Sequence, residues 1–166
     1  MDIEIKKYMN PRYIICAMTD SYFINLIDLV AWADTVIDSV NIPPEWLVTI
    51  SLGTNLSDIN YSIRTSLAND NILDHNLIDS LFIGFCYIRY KNDEINYKEL
   101  DGILSNYFVA DKNFFNEDDL FTYFYEPKSN SDLVNSINLE FVRCENICKK
   151  ALEYFYSDDV CRDLNI

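Results

Sequence analysis

Glycine and histidine are scarce in this sequence, which has three glycines and one histidine among 166 residues. Loops that cradle phosphate groups depend on the backbone freedom of glycine. The chain contains no GxxxxGKS/T, GxGxxG or GxSxG motif. Nucleotide-binding enzymes of the common kinds are therefore disfavoured.

Candidates for metal binding or nucleophilic catalysis are also few. The lone histidine, His75, cannot supply a multi-histidine ligand set, and no nearby serine or cysteine in the sequence suggests a nucleophile pair. Cys144 and Cys148 lie four residues apart on one predicted helix face, but a matching second pair of ligands is missing. We expect buried thiols there, and we predict no metal site and no cofactor.

Three groups of acidic residues, at positions 93–94, 117–119 and 158–159, could bind a divalent cation or exchange protons. Their spacing matches no calcium loop, which places oxygen ligands at alternating positions around a central glycine. Residues 117–119 fall in the first turn of a predicted helix, where negative charge is favourable. The sequence therefore favours a binding protein over an enzyme.

The cysteines and the apolar runs bear on cellular location. The five cysteines form no CxxC pair, and most lie inside apolar runs, as is typical of free thiols in a reducing compartment. Residues 1–10 mix charges without the apolar core of a secretion signal. The longest apolar runs are interrupted by Asp or Asn well before the roughly 18 residues of a membrane span. We predict a cytoplasmic protein that does not associate with membranes.

Basic residues are outnumbered, with 13 Lys and Arg against 27 Asp and Glu, for a formal net charge of −14. Such a surface repels phosphate backbones and anionic lipid head groups, and it attracts a basic partner. Binding to nucleic acid is therefore disfavoured. The alternative is that the acidity serves only solubility.

The composition is that of a folded domain, since 49% of the residues are apolar and 14% are aromatic. A chain of this length buries roughly 70% of its unfolded surface. No internal repeat or low-complexity linker divides it. We predict an all-α fold, a compact single-domain bundle of about six to seven helices over residues 1–166, with a flexible arm at 1–11 and an acidic tail at 157–166.

The chain is organised around a helical hairpin at residues 19–52. Apolar residues recur at three- and four-residue intervals from Phe23 to Val40, which predicts a helix with its N-cap at residues 19–21. Pro43-Pro44 ends this helix and opens a short second one. The second helix is expected to bury Trp46, Leu47, Ile50 and Leu52.

Five further helices are predicted after the hairpin. They cover residues 58–67, 74–90, 97–108, a short stretch after Asn116, and 131–155. The helix at 74–90 is apolar on nearly all sides and is therefore expected to be central, with Gly84 allowing a neighbour to pack closely. Residues 12–18 fit either a strand or the first turns of the hairpin helix.

One pattern in the hairpin resembles a known family. It consists of Trp32-Ala33-Asp34, Ile37, Pro43-Pro44-Glu45-Trp46-Leu47 and Ile50-Ser51-Leu52. This run is similar to one in small bacterial immunity proteins of polymorphic toxin and contact-dependent growth inhibition systems. The resemblance covers about 21 residues and implies a protein that binds and blocks a cognate toxin domain, often a nuclease with a basic groove.

The predicted partner surface lies at residues 116–126, where acidic residues lie beside tyrosines. Its members are Glu117, Asp118, Asp119, Tyr123, Tyr125 and Glu126. Aromatic residues supply most interface energy, while peripheral charges mainly accelerate the encounter. The alternatives are a helical adaptor that joins two proteins without inhibiting a toxin, and a small helical enzyme that uses scattered carboxylates.

Overall fold

The structure is a computed structural model that describes residues 6–108, 122–126, 128 and 131–164. Eight helices are bounded within these ranges and no strand occurs in them, so the all-α prediction is confirmed. The helices are α1 (Pro11–Asp20), α2 (Leu26–Ser39), α3 (Glu45–Ser51), α4 (Leu56–Asn69), α5 (His75–Lys91), α6 (Tyr97–Phe108), α7 (Ser131–Phe155) and α8 (Asp158–Leu164). Residues 122–125 are helical as well.

Helices α5 and α1 form the centre of the bundle. Every residue of α5 from Leu77 to Cys86 is buried, and α1 is buried without a break from Tyr13 to Thr19. The helix α5 packs against α7, α1 and α6, while α1 also packs against α4. The predicted central position of α5 is therefore confirmed.

Gly84 is the point of closest approach between α5 and α7. A methyl group on its Cα would overlap the carbonyl group of Cys144 and the Sγ atom of Cys148. The thiol of Cys148 donates to the carbonyl oxygen of Leu81 across the same contact, at 3.0 Å. The prediction that Gly84 permits close packing is confirmed.

Residues 12–18 form neither a strand nor the start of the hairpin helix, because they belong to α1. The side chains of Thr19 and Ser21 donate back to the carbonyl groups of Ile15 and Ala17, at 2.8 and 2.6 Å. They satisfy the C-terminal end of α1 and are therefore unavailable as N-caps. The predicted cap at residues 19–21 was wrong for this reason.

The first hairpin helix, α2, begins one turn later than predicted. Asn25 caps it by accepting from the backbone amide of Asp28 at 2.9 Å. The chain turns between α1 and α2 at Tyr22, whose φ of 53° lies in the left-handed region. The end of α2 before Pro43-Pro44 is as predicted, since the helix stops at Ser39.

The short helix α3 confirms most of its predicted apolar face. Leu47 and Ile50 are fully buried and Trp46 is half-buried. Leu52, however, is 76% exposed, so its predicted burial was wrong. It is the residue after the helix end, and it no longer shares the inward face.

The N-terminal caps of α6 and α4 are both asparagines. Asn96 accepts from the amide of Glu99 at 3.2 Å, and the Glu99 carboxylate accepts from the amide of Asn96 at 2.8 Å, as in a capping box. The Asn96 cap is therefore confirmed. The cap of α4 is Asn55 instead of the predicted Ser57, because the Asn55 side chain accepts from the amide of Asp58 at 2.8 Å.

The ends of the chain depart from the predicted arm and tail. Tyr8 and Met9 are buried, while residues 1–5 lie outside the described ranges. Residues 158–164 form helix α8, which packs on α7 and α2 and buries Val160 completely. The prediction of a weakly ordered tail was wrong for these residues because this apolar side chain joins the core.

Candidate partner-binding surface

The predicted partner surface is only partly within the described residues. Glu117, Asp118 and Asp119 lie outside them, as does the predicted Asn116 cap. Glu126 is exposed, and its backbone amide donates to the carbonyl oxygen of Thr122 at 3.2 Å. The residues that can be placed in three dimensions are therefore Tyr123, Tyr125 and Glu126.

Tyr123 connects its helical segment to α7. Its hydroxyl donates to the side-chain oxygen of Asn138 at 2.6 Å, and its ring meets the ring of Phe141 edge-on, with centroids 5.5 Å apart. Burial raises the pKa of Tyr123 to about 12, so the phenol stays protonated at neutral pH. Tyr123 therefore holds this segment against α7 and does not project into solvent as a free side chain.

Tyr125 is the more accessible of the two tyrosines, with 42% of its surface exposed. Its ring lies edge-on to Tyr97 with centroids 5.9 Å apart, and its hydroxyl lies 3.5 Å from a carboxylate oxygen of Asp101. Desolvation and the nearby Asp101 charge raise the pKa of Tyr125. An aromatic ring and a carboxylate are thus presented side by side.

Tyr123 lines a groove that we call the tyrosine groove. It has a volume of about 350 Å³ and is lined by Tyr90, Tyr97, Tyr123, Phe124, Val134 and Asn138. The end of α5, the start of α6, residues 123–124 and the first turns of α7 each contribute a wall. Tyr97 and Phe124 face each other across it with ring centroids 6.4 Å apart.

Sequence reasoning missed four of the six residues that line this groove. Tyr90, Tyr97, Val134 and Asn138 were assigned only to their own helices, although they come together around Tyr123. The available signal was the density of tyrosines on both sides of the 91–96 turn. A run of rings near a helix end is typical of a contact surface as well as of a core.

The cysteines have the environment of inert thiols. Cys16, Cys86, Cys144 and Cys148 are buried, and desolvation raises the pKa of both Cys16 and Cys86 to about 12. Thiols with such values are poor nucleophiles at neutral pH. The expectation of buried thiols at Cys144 and Cys148 is confirmed, and no group of three or more metal-ligating side chains occurs among the described residues.

Comparison with known proteins gives no assignment. No protein-family model matches the chain, and no curated protein or solved structure matches it. Within the described ranges, no helix combines the length and apolarity needed to cross a membrane. Function is therefore inferred from the sequence and the surface of this chain.

Proposed function

We propose that this chain is an immunity protein that binds a cognate cationic toxin domain, such as a nuclease, and neutralises it by stoichiometric blocking. The observation that carries the proposal is the tyrosine groove on a protein of net charge −14. Half-exposed rings beside carboxylates combine the two elements that a basic partner requires. The hairpin pattern that resembles immunity proteins supports the same function.

The aromatic part of the surface supplies binding energy. Tyrosine buries a large area while losing few rotatable bonds, and truncation of such a residue at the centre of an interface costs about 2 kcal/mol or more. Tyr97 and Tyr125 are each 42% exposed, so they retain surface that a partner can desolvate. Tyr123 holds the segment in place through Asn138.

The acidic part of the surface raises the rate of association and selects for a basic partner. A nuclease groove is basic because it binds a phosphate backbone, and opposite charges on two proteins accelerate their encounter. An acidic protein seated in that groove would exclude nucleic acid by occupying its site. Inhibition of this kind requires no catalytic residue.

The experiment is to express the chain with the open reading frame immediately upstream in its genome and to purify it through a tag. We expect a cationic domain to co-purify in a defined ratio, and we expect the pair to spare cells that the domain alone kills. A tagged acidic protein of similar size and charge is the control for nonspecific capture. Recovery of the chain alone, without protection, would favour the adaptor alternative.

A further inference from the structure

A second groove lies between α2 and the junction of α7 with α8, and we call it the α2–α8 groove. It has a volume of about 500 Å³. We propose that it binds an arginine side chain of the cationic partner, with the guanidinium against Tyr156 and between the carboxylates of Asp28 and Asp158. The identity of this occupant rests on the proposed function.

The walls of the groove come from distant parts of the chain. Asn25 holds Asp28 in the first turn of α2, since its amide donates to the Asp28 carboxylate at 2.6 Å. One turn later, Trp32 stacks on Phe155 at the end of α7, with ring centroids 4.1 Å apart. The groove therefore has a fixed aromatic wall and a carboxylate in a defined place.

Tyr156 provides an open aromatic surface at the junction. It follows Phe155, meets that ring edge-on at 5.1 Å, and is 63% exposed. Desolvation and the charge of Asp28 raise the pKa of Tyr156, which is consistent with a carboxylate close to its hydroxyl. A ring beside a carboxylate suits a planar cation, because guanidinium groups stack on aromatic faces and bond carboxylates with two donors.

The charge of the groove is not compensated by its own lining. Its lining residues include the two carboxylates of Asp28 and Asp158 and contain no Lys, Arg or His. No described basic side chain pairs with Asp158, whereas the adjacent Asp159 pairs with Arg162 at 2.7 Å. Two carboxylates in one groove whose lining contains no basic residue leave a site for a positive group.

A third groove, between α1, α3 and α4, has Glu45 and Asp70 in its lining but also includes the cation Arg12. It has a volume of about 530 Å³, and its carboxylate of Asp70 is already paired with Arg12 at 2.5 Å. A cation from a partner would have to displace that internal arginine. The α2–α8 groove is therefore the better site for arginine.

The test is fluorescence anisotropy with a labelled peptide of alternating arginine and glycine, using the full chain. The double variant Asp28→Asn/Asp158→Asn removes two charges from the groove. Asp58→Asn/Asp132→Asn is the matched control, because Asp58 pairs with Asn55 as Asp28 pairs with Asn25, at the same 2.6 Å, and Asp132 lies in a first turn as Asp158 does.

We expect the groove variant to bind the peptide at least about fivefold more weakly than the control variant, which corresponds to about 1 kcal/mol. Tyr156→Ala should weaken binding by a similar factor, Tyr156→Phe should restore it, and Tyr22→Ala, at a residue 71% exposed outside the three grooves, should leave it unchanged. Circular dichroism of every variant checks that the helices persist.

Equal weakening by the two double variants would overturn the proposal, since only net charge would then matter. Equal binding of a lysine and glycine peptide would overturn the assignment to arginine. The proposed function fails separately: if the groove binds the peptide as expected but the chain gives no protection, the groove stands and the immunity function does not. If the chain protects cells but the groove does not bind the peptide, the immunity function stands and the groove proposal fails.

Discussion

The indole of Trp32 stacks on the ring of Phe155 and also donates its Nε1 hydrogen to the Phe155 carbonyl oxygen, at 3.0 Å. This pair joins α2 to the end of α7 across 123 residues of sequence. Stacking and a hydrogen bond between the same two residues fix both the distance and the rotation of α2. The hairpin is thereby held on the rest of the bundle.

Replacement of Trp32 should therefore cost stability in two steps. Trp32→Phe keeps a ring but removes the hydrogen bond, and we expect a loss of about 1 kcal/mol or more in the free energy of unfolding. Trp32→Ala should cost about 3–5 kcal/mol. Urea unfolding followed by circular dichroism measures both. Trp46→Phe, at a half-buried tryptophan, is the control and should cost less than Trp32→Phe.

Two glycines inside helices should respond to alanine in opposite directions. Alanine favours a helix over glycine by about 1 kcal/mol at either position. At Gly84 its methyl group would overlap the Cys144 backbone, so Gly84→Ala should destabilise the protein; at Gly102 a methyl group meets no atom within 4 Å, so Gly102→Ala should stabilise it. The urea midpoint should fall for Gly84→Ala and rise for Gly102→Ala. Stabilisation by Gly84→Ala would contradict the close α5–α7 contact, and destabilisation by Gly102→Ala would contradict the open surroundings of Gly102.

Glu145 should make stability depend on pH. It is buried and accepts from Lys91 at 2.8 Å and Lys149 at 2.7 Å. Desolvation opposes ionisation, but the hydrogen bonds from the two lysines prevail and lower the pKa of Glu145 below its usual 4.5.

A carboxyl group with a lowered pKa stabilises the folded state above its unfolded value and loses this effect as the pH falls through the folded value. We expect the contribution of Glu145 to be complete above about pH 4.5 and to disappear below it. Glu145→Gln should flatten the acid side of the stability profile measured by urea unfolding between pH 3 and pH 7. Glu153→Gln, at an exposed acid on the same helix, should leave the profile unchanged.

Tyr125 should contribute to partner affinity without contributing much to stability. We expect Tyr125→Ala to weaken binding of the co-purified partner by about 1–2 kcal/mol, mainly through faster dissociation. Tyr123→Phe should instead lower stability by about 1 kcal/mol, because it removes the hydrogen bond to Asn138. Surface plasmon resonance and urea unfolding on both variants separate the two roles. Interchanged results would contradict the assignment.

The acids at 117–119 should act on the rate of association. Replacing Glu117, Asp118 and Asp119 with Lys should slow association with the cationic partner and reduce its dependence on salt, because long-range attraction is lost. Stopped-flow measurements between low and physiological ionic strength provide the readout. The same reversal at three exposed acids elsewhere, Asp58, Asp132 and Glu153, controls for net charge. Unchanged association rates would remove residues 117–119 from the partner surface.

Helices with strong periodicity could be predicted from the sequence, and the junctions between them could not. The spacing of apolar residues in α5 and α7 predicted both helices nearly to their ends. The break after α1 was missed because Thr19 and Ser21 can satisfy either a helix start or a helix end, and only packing decides between them. Helix α8 was missed because its seven residues are too few to show a helical period.

The groove beside the predicted partner surface could be anticipated only in part. Acids and tyrosines at 117–126 indicated a contact region, and the described part of it does border a groove. The partners of Tyr123 and Tyr125, namely Asn138 and Asp101, lie 15 and 24 residues away in sequence. Contacts at such distances depend on how helices pack, which no local pattern encodes.

The distance in sequence between the two walls of the α2–α8 groove has a consequence for biosynthesis. The ribosome releases α2 long before it releases Phe155 and α8, so nascent chains expose the Trp32 face until residues 155–164 have emerged. The contact between Trp32 and Phe155 therefore forms only after α7 has been synthesised. Newly made molecules gain this groove only after the C-terminal helices have emerged.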